Sequence, residues 1–180
     1  MNFKAHFSIA LAAFSVLTIE NAAISACKPP QNTSVIAESS RGIELSNKQI
    51  RSQAVLKRLK PFQTTTAKSY TLLLEKIKLD QLPEGVYEVY MSNDPAEVTR
   101  TVPENTAFVN TLDLYNLQSS SDKTMPVNVT KNVKLWLENG KETADIYVVV
   151  LFKGNVLPDN TPIQNAGKIT IGEIRLLENR

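Results

Sequence analysis

The chain has 180 residues, with 20 Lys and Arg, 18 Asp and Glu, and a formal net charge of +2. Because this charge is small and the two signs are interspersed, we expect no basic surface for nucleic acid. The single Cys excludes an intrachain disulfide, and the single His excludes any site that needs several histidines.

The first 26 residues follow the order of a secretory signal peptide. Met1–His6 carries one lysine, Phe7–Ile19 is apolar, and small residues follow as far as Ala26. The apolar run is shorter than the roughly 20 residues that a membrane-spanning helix needs. The pattern predicts a signal peptide over residues 1–26, which we exclude from the folded domain.

The segment Ile24-Ser25-Ala26-Cys27 resembles a bacterial lipobox, in which the cysteine thiol receives the lipid. The only cysteine of the chain therefore stands where lipidation requires one. This predicts a lipid at Cys27 and attachment to a membrane of the bacterial cell envelope. The alternative is ordinary signal cleavage, which the polar pair Glu20-Asn21 favours and which would leave a secreted or periplasmic protein with a free thiol.

Two segments precede the predicted strands. Residues 27–45 are rich in Pro, Ser and other small or polar residues, which predicts a flexible tether after the lipid anchor. Ser46–Lys60 is the one helical candidate, with Ser46 as N-cap and Pro61 as stop signal. We expect this short N-terminal helix, or an irregular segment in its place, to pack on the sheet; contact with anionic lipid is the alternative for such a basic amphipathic stretch. Its apolar residues, spaced at roughly three to four positions, are Ile50, Ala54, Leu56 and Leu59.

The remaining chain is typical of β structure. Tyr70–Leu79 and Val86–Met91 are rich in aromatic and aliphatic residues, and Pro and Gly lie only in the connection between them, which predicts a β-hairpin. Ile146–Phe152 is apolar throughout and predicts a strand buried on both faces. Further strands are predicted at Ala107–Tyr115 and Lys168–Leu177, and Val127–Leu137 predicts one or two short strands, or a strand and a turn.

These elements predict one domain over residues 46–180. About six to eight strands separated by turns indicate a mainly β, antiparallel β-sandwich with one short N-terminal helix. Trp136 has two interpretations, an exposed stacking platform or an aromatic side chain of the core.

Four segments resemble the C-terminal domain of plant polyphenol oxidases and related bacterial tyrosinases. Val86–Asn93 is similar to the Lys-Phe-Asp-Val-Tyr-x-Asn segment of that domain, and Phe108–Leu112 to its Phe-x-Gly-x-Phe segment. Ile146–Leu151 lies where the family has a valine-rich strand, and Ile169–Ile174 resembles its closing Val-x-Ile-Gly-x-Ile strand. Asn110 departs from the family pattern, which has glycine there. The resemblance covers residues 68–178 in the family's order.

The resemblance implies a cover domain without its enzyme. In the family, a separate helical domain binds copper through histidines, and the C-terminal domain covers the entrance to the copper site. Here the only histidine is His6, inside the predicted signal peptide. The residues left after its removal cannot form a type-3 copper centre, a histidine-rich zinc site or a Ser-His-Asp triad. We therefore predict a non-catalytic protein with no metal and no cofactor.

Two functions remain open. The first is a lipoprotein that binds or shields a partner protein, with a separately encoded type-3 copper oxidase as the implied partner. Phe152, Leu157 and Ile163, near the turn-rich stretch Gly154–Gly167, are the candidate partner-facing residues. The second is a structural or small-ligand-binding envelope lipoprotein that reuses the fold. An exposed apolar patch with a polar rim favours the first function, and a concave pocket with convergent polar groups favours the second.

Overall fold

The computed structural model describes ten strands and two α-helices between Asn32 and Arg180. The described residues are 32–62, 67–100, 103, 105–112, 114, 123–140, 145–156, 162–163 and 165–180. The strands are β1 (Thr33–Ser39), β2 (Ile43–Ser46), β3 (Arg51–Arg58), β4 (Ser69–Gln81), β5 (Val86–Ser92), β6 (Phe108–Leu112), β7 (Lys123–Asn128), β8 (Asp145–Val156), β9 (Pro162–Ile163) and β10 (Lys168–Asn179). The helices are α1 (Pro95–Thr99) and α2 (Thr130–Glu138), and a 3-10 turn covers Asn105–Ala107.

The strands pair in the order β6-β5-β8-β3-β1-β10-β4-β7, with β2 added to β10 and β9 added to β8. Every pairing is antiparallel. Strands from both halves of this order pack side chains into a single apolar core. The predicted mainly β, antiparallel sandwich is therefore confirmed. The fully buried side chains at its centre include Leu56, Leu72, Leu74, Tyr87, Ile146, Ile171 and Leu176.

Strand β8 is buried on both faces, as its unbroken apolar sequence predicts. Val148 and Val150 belong to the main core, whereas Val149 and Leu151 form a second cluster on the opposite face. Tyr90 and Ala107 cover that opposite face, together with the half-buried Tyr147.

The predicted β-hairpin is wrong, although both of its strands exist. Strand β4 pairs with β10 and β7, and strand β5 pairs with β6 and β8. The connection between β4 and β5 therefore joins two strands that do not pair and that have β8, β3, β1 and β10 between them in the strand order. Strand content and turn residues indicate that two strands follow one another, but they do not tell which partner each strand takes.

The predicted flexible tether is wrong over the residues that are described. Thr33–Ser39 forms β1, which lies between β10 and β3 near the middle of the strand order. Ile36 and Ala37 are buried in the core. Of the polar residues that suggested a tether, Glu38 is exposed and Ser40 lies in the connection before β2, whereas the Ser34 hydroxyl oxygen is buried. The domain therefore begins by Thr33 rather than at residue 46, and residues 27–31 lie outside the described residues.

The predicted N-terminal helix is a strand, β3. Ala54 and Leu56 are buried, at the two-residue spacing of a strand, whereas Ile50 and Leu59 are 48% and 54% exposed. The helical spacing depended on those two exposed residues. Main-chain pairing of β3 with β8 over seven positions outweighs the weak helical pattern.

A helix occurs instead at Thr130–Glu138, where the sequence indicated strands or a turn. The side chain of Asn128 accepts a hydrogen bond from the Thr130 N–H at 3.0 Å, and the Thr130 hydroxyl accepts one from the Tyr70 N–H at 2.9 Å. These contacts begin α2 and attach it to β4. Neither described α-helix has the length and apolar character that crossing a membrane would need.

Candidate functional site

An apolar cleft lies at one end of the sandwich, between the β4–β5 connection and β6. Its volume is about 270 Å³. Leu82 and Val86 are 38% and 43% exposed there, so two large aliphatic side chains face solvent side by side. The residues that line the cleft are Leu82, Pro83, Gly85, Val86, Thr111, Leu112 and Leu114.

Ion pairs stand close to this cleft along the chain. Asp80, two residues before Leu82, pairs with Lys168 at 3.1 Å, and Glu88, two residues after Val86, faces Lys153 at 3.6 Å. Hydrogen bonding to Asp80 is the main reason that the pKa of Lys168 is raised. The arrangement is an apolar surface with a charged rim, which is the pattern expected of a protein interaction site.

The β4–β5 connection is held by close main-chain contacts. The Glu84 N–H donates to the Asn165 carbonyl at 2.8 Å. A Cβ atom on Gly85 would lie 2.6 Å from the carbonyl carbon of Gly154, and one on Gly167 would lie 2.3 Å from the Gln81 carbonyl oxygen. Gly167 also has a φ of +67°, which favours glycine. The wall of the cleft is therefore part of a tightly packed loop junction.

Tyr87 fixes the same junction from inside the core. Its hydroxyl donates to the carbonyl of Ala166, and both residues are fully buried. The side-chain oxygen of Asn47 accepts a hydrogen bond from the Ala166 N–H at 2.6 Å. Burial raises the pKa of Tyr87 to about 12, so its hydroxyl keeps its proton over the physiological range.

The candidate partner-facing residues differ in their outcome. Phe152 is only 6% exposed and packs in the core with its ring 5.1 Å from that of Tyr87, so it cannot be the exposed plug. The strict alternation of strand β8 turns this side chain inward, opposite Tyr87 in the register. Leu157 lies outside the described residues, and for Ile163 only the main chain, in strand β9, is described. Cys27 also lies outside the described residues.

A second, polar cleft lies at the other end of β5, with a volume of about 350 Å³. It is formed by the end of that strand, α1, the 3-10 turn and α2. Trp136 is half-buried on its wall and also packs against the main core, which agrees in part with the core interpretation, whereas the stacking platform stays a prediction. The lining residues are Met91, Ser92, Asn93, Asp94, Glu97, Thr106, Ala107, Asn132, Leu135, Trp136 and Asn139.

Within the described part of the chain, no group of three or more His, Cys, Asp or Glu side chains could hold a metal ion. Tyr90 also has a raised pKa, of about 12, because of burial and its hydrogen bond to Glu88. A neutral phenol bound to a carboxylate stabilises the sheet and does not form an acid–base pair at neutral pH.

Structures similar to this chain include those of polyphenol oxidases, the class of protein that the four sequence segments resemble. For latent apple tyrosinase the identity is 18% and the TM-score 0.48, over 77% of this chain and 27% of that chain. For latent aurone synthase, a polyphenol oxidase, the identity is 15% and the TM-score 0.48, over 77% of this chain and 25% of that chain. The chain therefore spans about a quarter of the length of these proteins. No family model and no curated protein matches the chain.

Sequence reasoning missed both clefts as sites. The exposed pair Leu82 and Val86 looked like ordinary residues of a hairpin, because the connection was expected to be a local turn. The polar cleft has a weaker sequence signal, the cluster Asn93-Asp94-Pro95, because such residues by themselves indicate only a loop. The Asp94 side chain in fact accepts a hydrogen bond from the Ala96 N–H at 2.8 Å and begins α1.

Proposed function

We propose that this protein is an exported, lipid-anchored, non-catalytic β-sandwich that binds or shields a partner protein. A separately encoded type-3 copper oxidase is the proposed partner. The observation that carries the proposal is the apolar cleft with Leu82 and Val86 exposed on its wall and ion pairs near it. The sequence resemblance to the cover domain of polyphenol oxidases supplies the class of partner.

The energy available from the cleft alone is modest. Covering the exposed parts of Leu82 and Val86 would contribute about 1–2 kcal/mol, since full burial of such a side chain contributes about 1.5–3 kcal/mol. A stable complex therefore needs the partner to contact the charged rim as well. A side chain of the partner that fills the cleft while its polar groups meet Lys153 and Lys168 would satisfy both requirements.

The lipid anchor is proposed from Cys27 and the sequence before it. Five residues lie between Cys27 and Thr33, the start of β1, so these two residues can be at most about 20 Å apart. The domain of a protein lipidated at Cys27 would then lie close to the membrane surface. Its partner would have to be at that surface too.

A pull-down from the native envelope tests the docking proposal with matched baits. The baits are the full-length protein, the double variant Leu82→Glu/Val86→Glu, and Leu59→Glu as a control with an exposed leucine far along the chain from the cleft. The proposal expects a type-3 copper oxidase to be enriched by the first and third baits and lost with the second. Equal recovery with all three baits, or no copper oxidase with any, would contradict it.

The mass of the N-terminal peptide tests the anchor separately. Acylation at Cys27, lost in Cys27→Ser together with membrane association, is the expected result. An unmodified thiol in a soluble fraction would instead support simple signal cleavage.

The alternative is a small-ligand-binding or structural envelope lipoprotein. The polar cleft beside Trp136 is the observation that favours ligand binding, because its wall carries several convergent polar side chains.

A further inference from the structure

The polar cleft contains buried polar groups whose hydrogen-bonding capacity is only partly used. Ser92 and Asn132 are 5% and 9% exposed, although both line an open cleft. A polar side chain that is nine-tenths buried is costly unless it is hydrogen-bonded. The remaining capacity of these groups indicates what the cleft could bind.

Asn132 presents an acceptor to the cleft. Its Nδ2 donates to the carbonyls of Thr106 and Phe108 at 3.4 and 3.3 Å, which fixes the amide orientation because only the NH₂ end can donate. The opposite oxygen, Oδ1, accepts no hydrogen bond from the described residues. Asn139 repeats this arrangement, with Nδ2 bound to the Leu135 carbonyl at 2.7 Å.

Donors lie on the same wall. Trp136 makes no hydrogen bond among the described residues, so its indole N–H remains available. The Ser92 hydroxyl oxygen accepts from the Asp94 N–H at 3.0 Å, which leaves the hydroxyl hydrogen to donate elsewhere. The cleft thus combines amide and carboxylate acceptors with hydroxyl and indole donors and an aromatic ring.

The charges favour a neutral ligand. The lining contains Asp94 and Glu97 but no Lys or Arg, so an anion would be repelled. Glu97 already faces Arg100 at 3.6 Å, and Asp94 is exposed to water, where its attraction for a cation is weak. A ligand with several hydroxyl groups matches this mixture, because each hydroxyl both donates and accepts.

We propose that the polar cleft is a saccharide-binding site. The apolar C–H face of a sugar ring packs on Trp136, while its hydroxyls bind Asn132 Oδ1, Asp94 and the Ser92 hydroxyl. The volume of about 350 Å³ lies within the range of small-molecule sites, about 300–1,000 Å³. The proposal does not rest on partner docking, since the two clefts lie at opposite ends of β5, about 20 Å apart.

Trp136 makes the test direct because it is the only tryptophan of the chain. The protein is titrated with methyl α-glucoside, methyl N-acetyl-β-glucosaminide and sucrose, with ethylammonium and phosphate as charged probes. Trp136 fluorescence and ligand-detected saturation-transfer NMR are both recorded. We expect saturable binding of at least one of the saccharides and none of either charged probe.

Two variants locate the binding. Asp94→Ser keeps an oxygen that can cap α1 but removes the carboxylate, and is expected to weaken binding about tenfold or more. Glu138→Ser, which removes a carboxylate of α2 outside the cleft lining, is the control and should bind like the parent protein. The proposal is overturned if neither measurement detects a saccharide, if only ethylammonium or phosphate binds, or if both variants weaken binding equally.

Discussion

Replacing Tyr87 by phenylalanine isolates the hydrogen bond that holds the loop junction beside the apolar cleft. The ring would stay packed on Phe152, and only the hydroxyl would be lost. The Ala166 carbonyl would then lack this donor, and water cannot reach it because Ala166 is fully buried. Leaving a buried acceptor without its partner costs about 1–3 kcal/mol. We therefore expect Tyr87→Phe to lower the free energy of unfolding by that amount.

Urea unfolding followed by circular dichroism measures this difference. In thermal unfolding of a domain of this size, a loss of about 2 kcal/mol would lower the midpoint temperature by about 4–8 °C. Tyr90→Phe is the matched control, because its hydroxyl bonds the side chain of Glu88, which also faces Lys153 near solvent. Tyr90 is itself buried, but its partner Glu88 is partly exposed and keeps Lys153, so no buried acceptor is left alone. The control should therefore lose clearly less free energy of unfolding, about 0.5 kcal/mol. Equal losses in the two variants, or no loss in Tyr87→Phe, would refute the reasoning.

Three further predictions use the same unfolding assay. Gly167 and Gly140 both have a positive φ, but only at Gly167 would an added Cβ meet main-chain atoms. We expect Gly140→Ala to lower the free energy of unfolding by about 1 kcal/mol and Gly167→Ala to lower it clearly more. Equal losses in the two variants would contradict the close contact at Gly167. If β1 is part of the core, Ile36→Ala should lower the free energy of unfolding by about 2–4 kcal/mol, whereas Ile50→Ala, at an exposed position, should hardly change it. A small loss in Ile36→Ala would instead support the predicted flexible tether. The pKa of Tyr87 is about 12 in the folded protein and 10 in the unfolded chain, so the unfolded chain loses this proton first as the pH rises. The free energy of unfolding should therefore fall between pH 10 and pH 12, by at most about 1.4 kcal/mol per pH unit from this group. Tyr87→Phe should make this decrease smaller.

The sequence predicts the strands best where the apolar pattern is long. Ile146–Phe152 has no polar residue, and it forms a strand buried on both faces as predicted. The pattern fails where few residues face the core. In β3 only Ala54 and Leu56 do so, and two exposed apolar residues produced a false helical spacing.

Pairing partners could not be predicted for a different reason. Strand β4 follows the same local rules whether it pairs with β5 or with β10, and the choice is made by contacts between residues far apart in the sequence. The clefts depend on the same long-range arrangement. Leu82 becomes part of a site only because the β4–β5 connection joins strands that do not pair with each other and brings Leu82 against β6.

The pairing of β1 with β10 has a consequence for how the chain folds. Thr33 lies opposite Asn179, so the edge of β1 that faces β10 has no partner until the last strand is present, whereas its other edge pairs with β3. Such distant pairings slow folding, because a long loop must close before the contact is gained. Strand β4 also takes β10 as a partner, over eleven positions, whereas β3, β5, β6 and β8 pair with one another without it. The last strand is therefore needed to join β1 and β4 into the sheet, and without it each of these two strands would keep an unpaired edge.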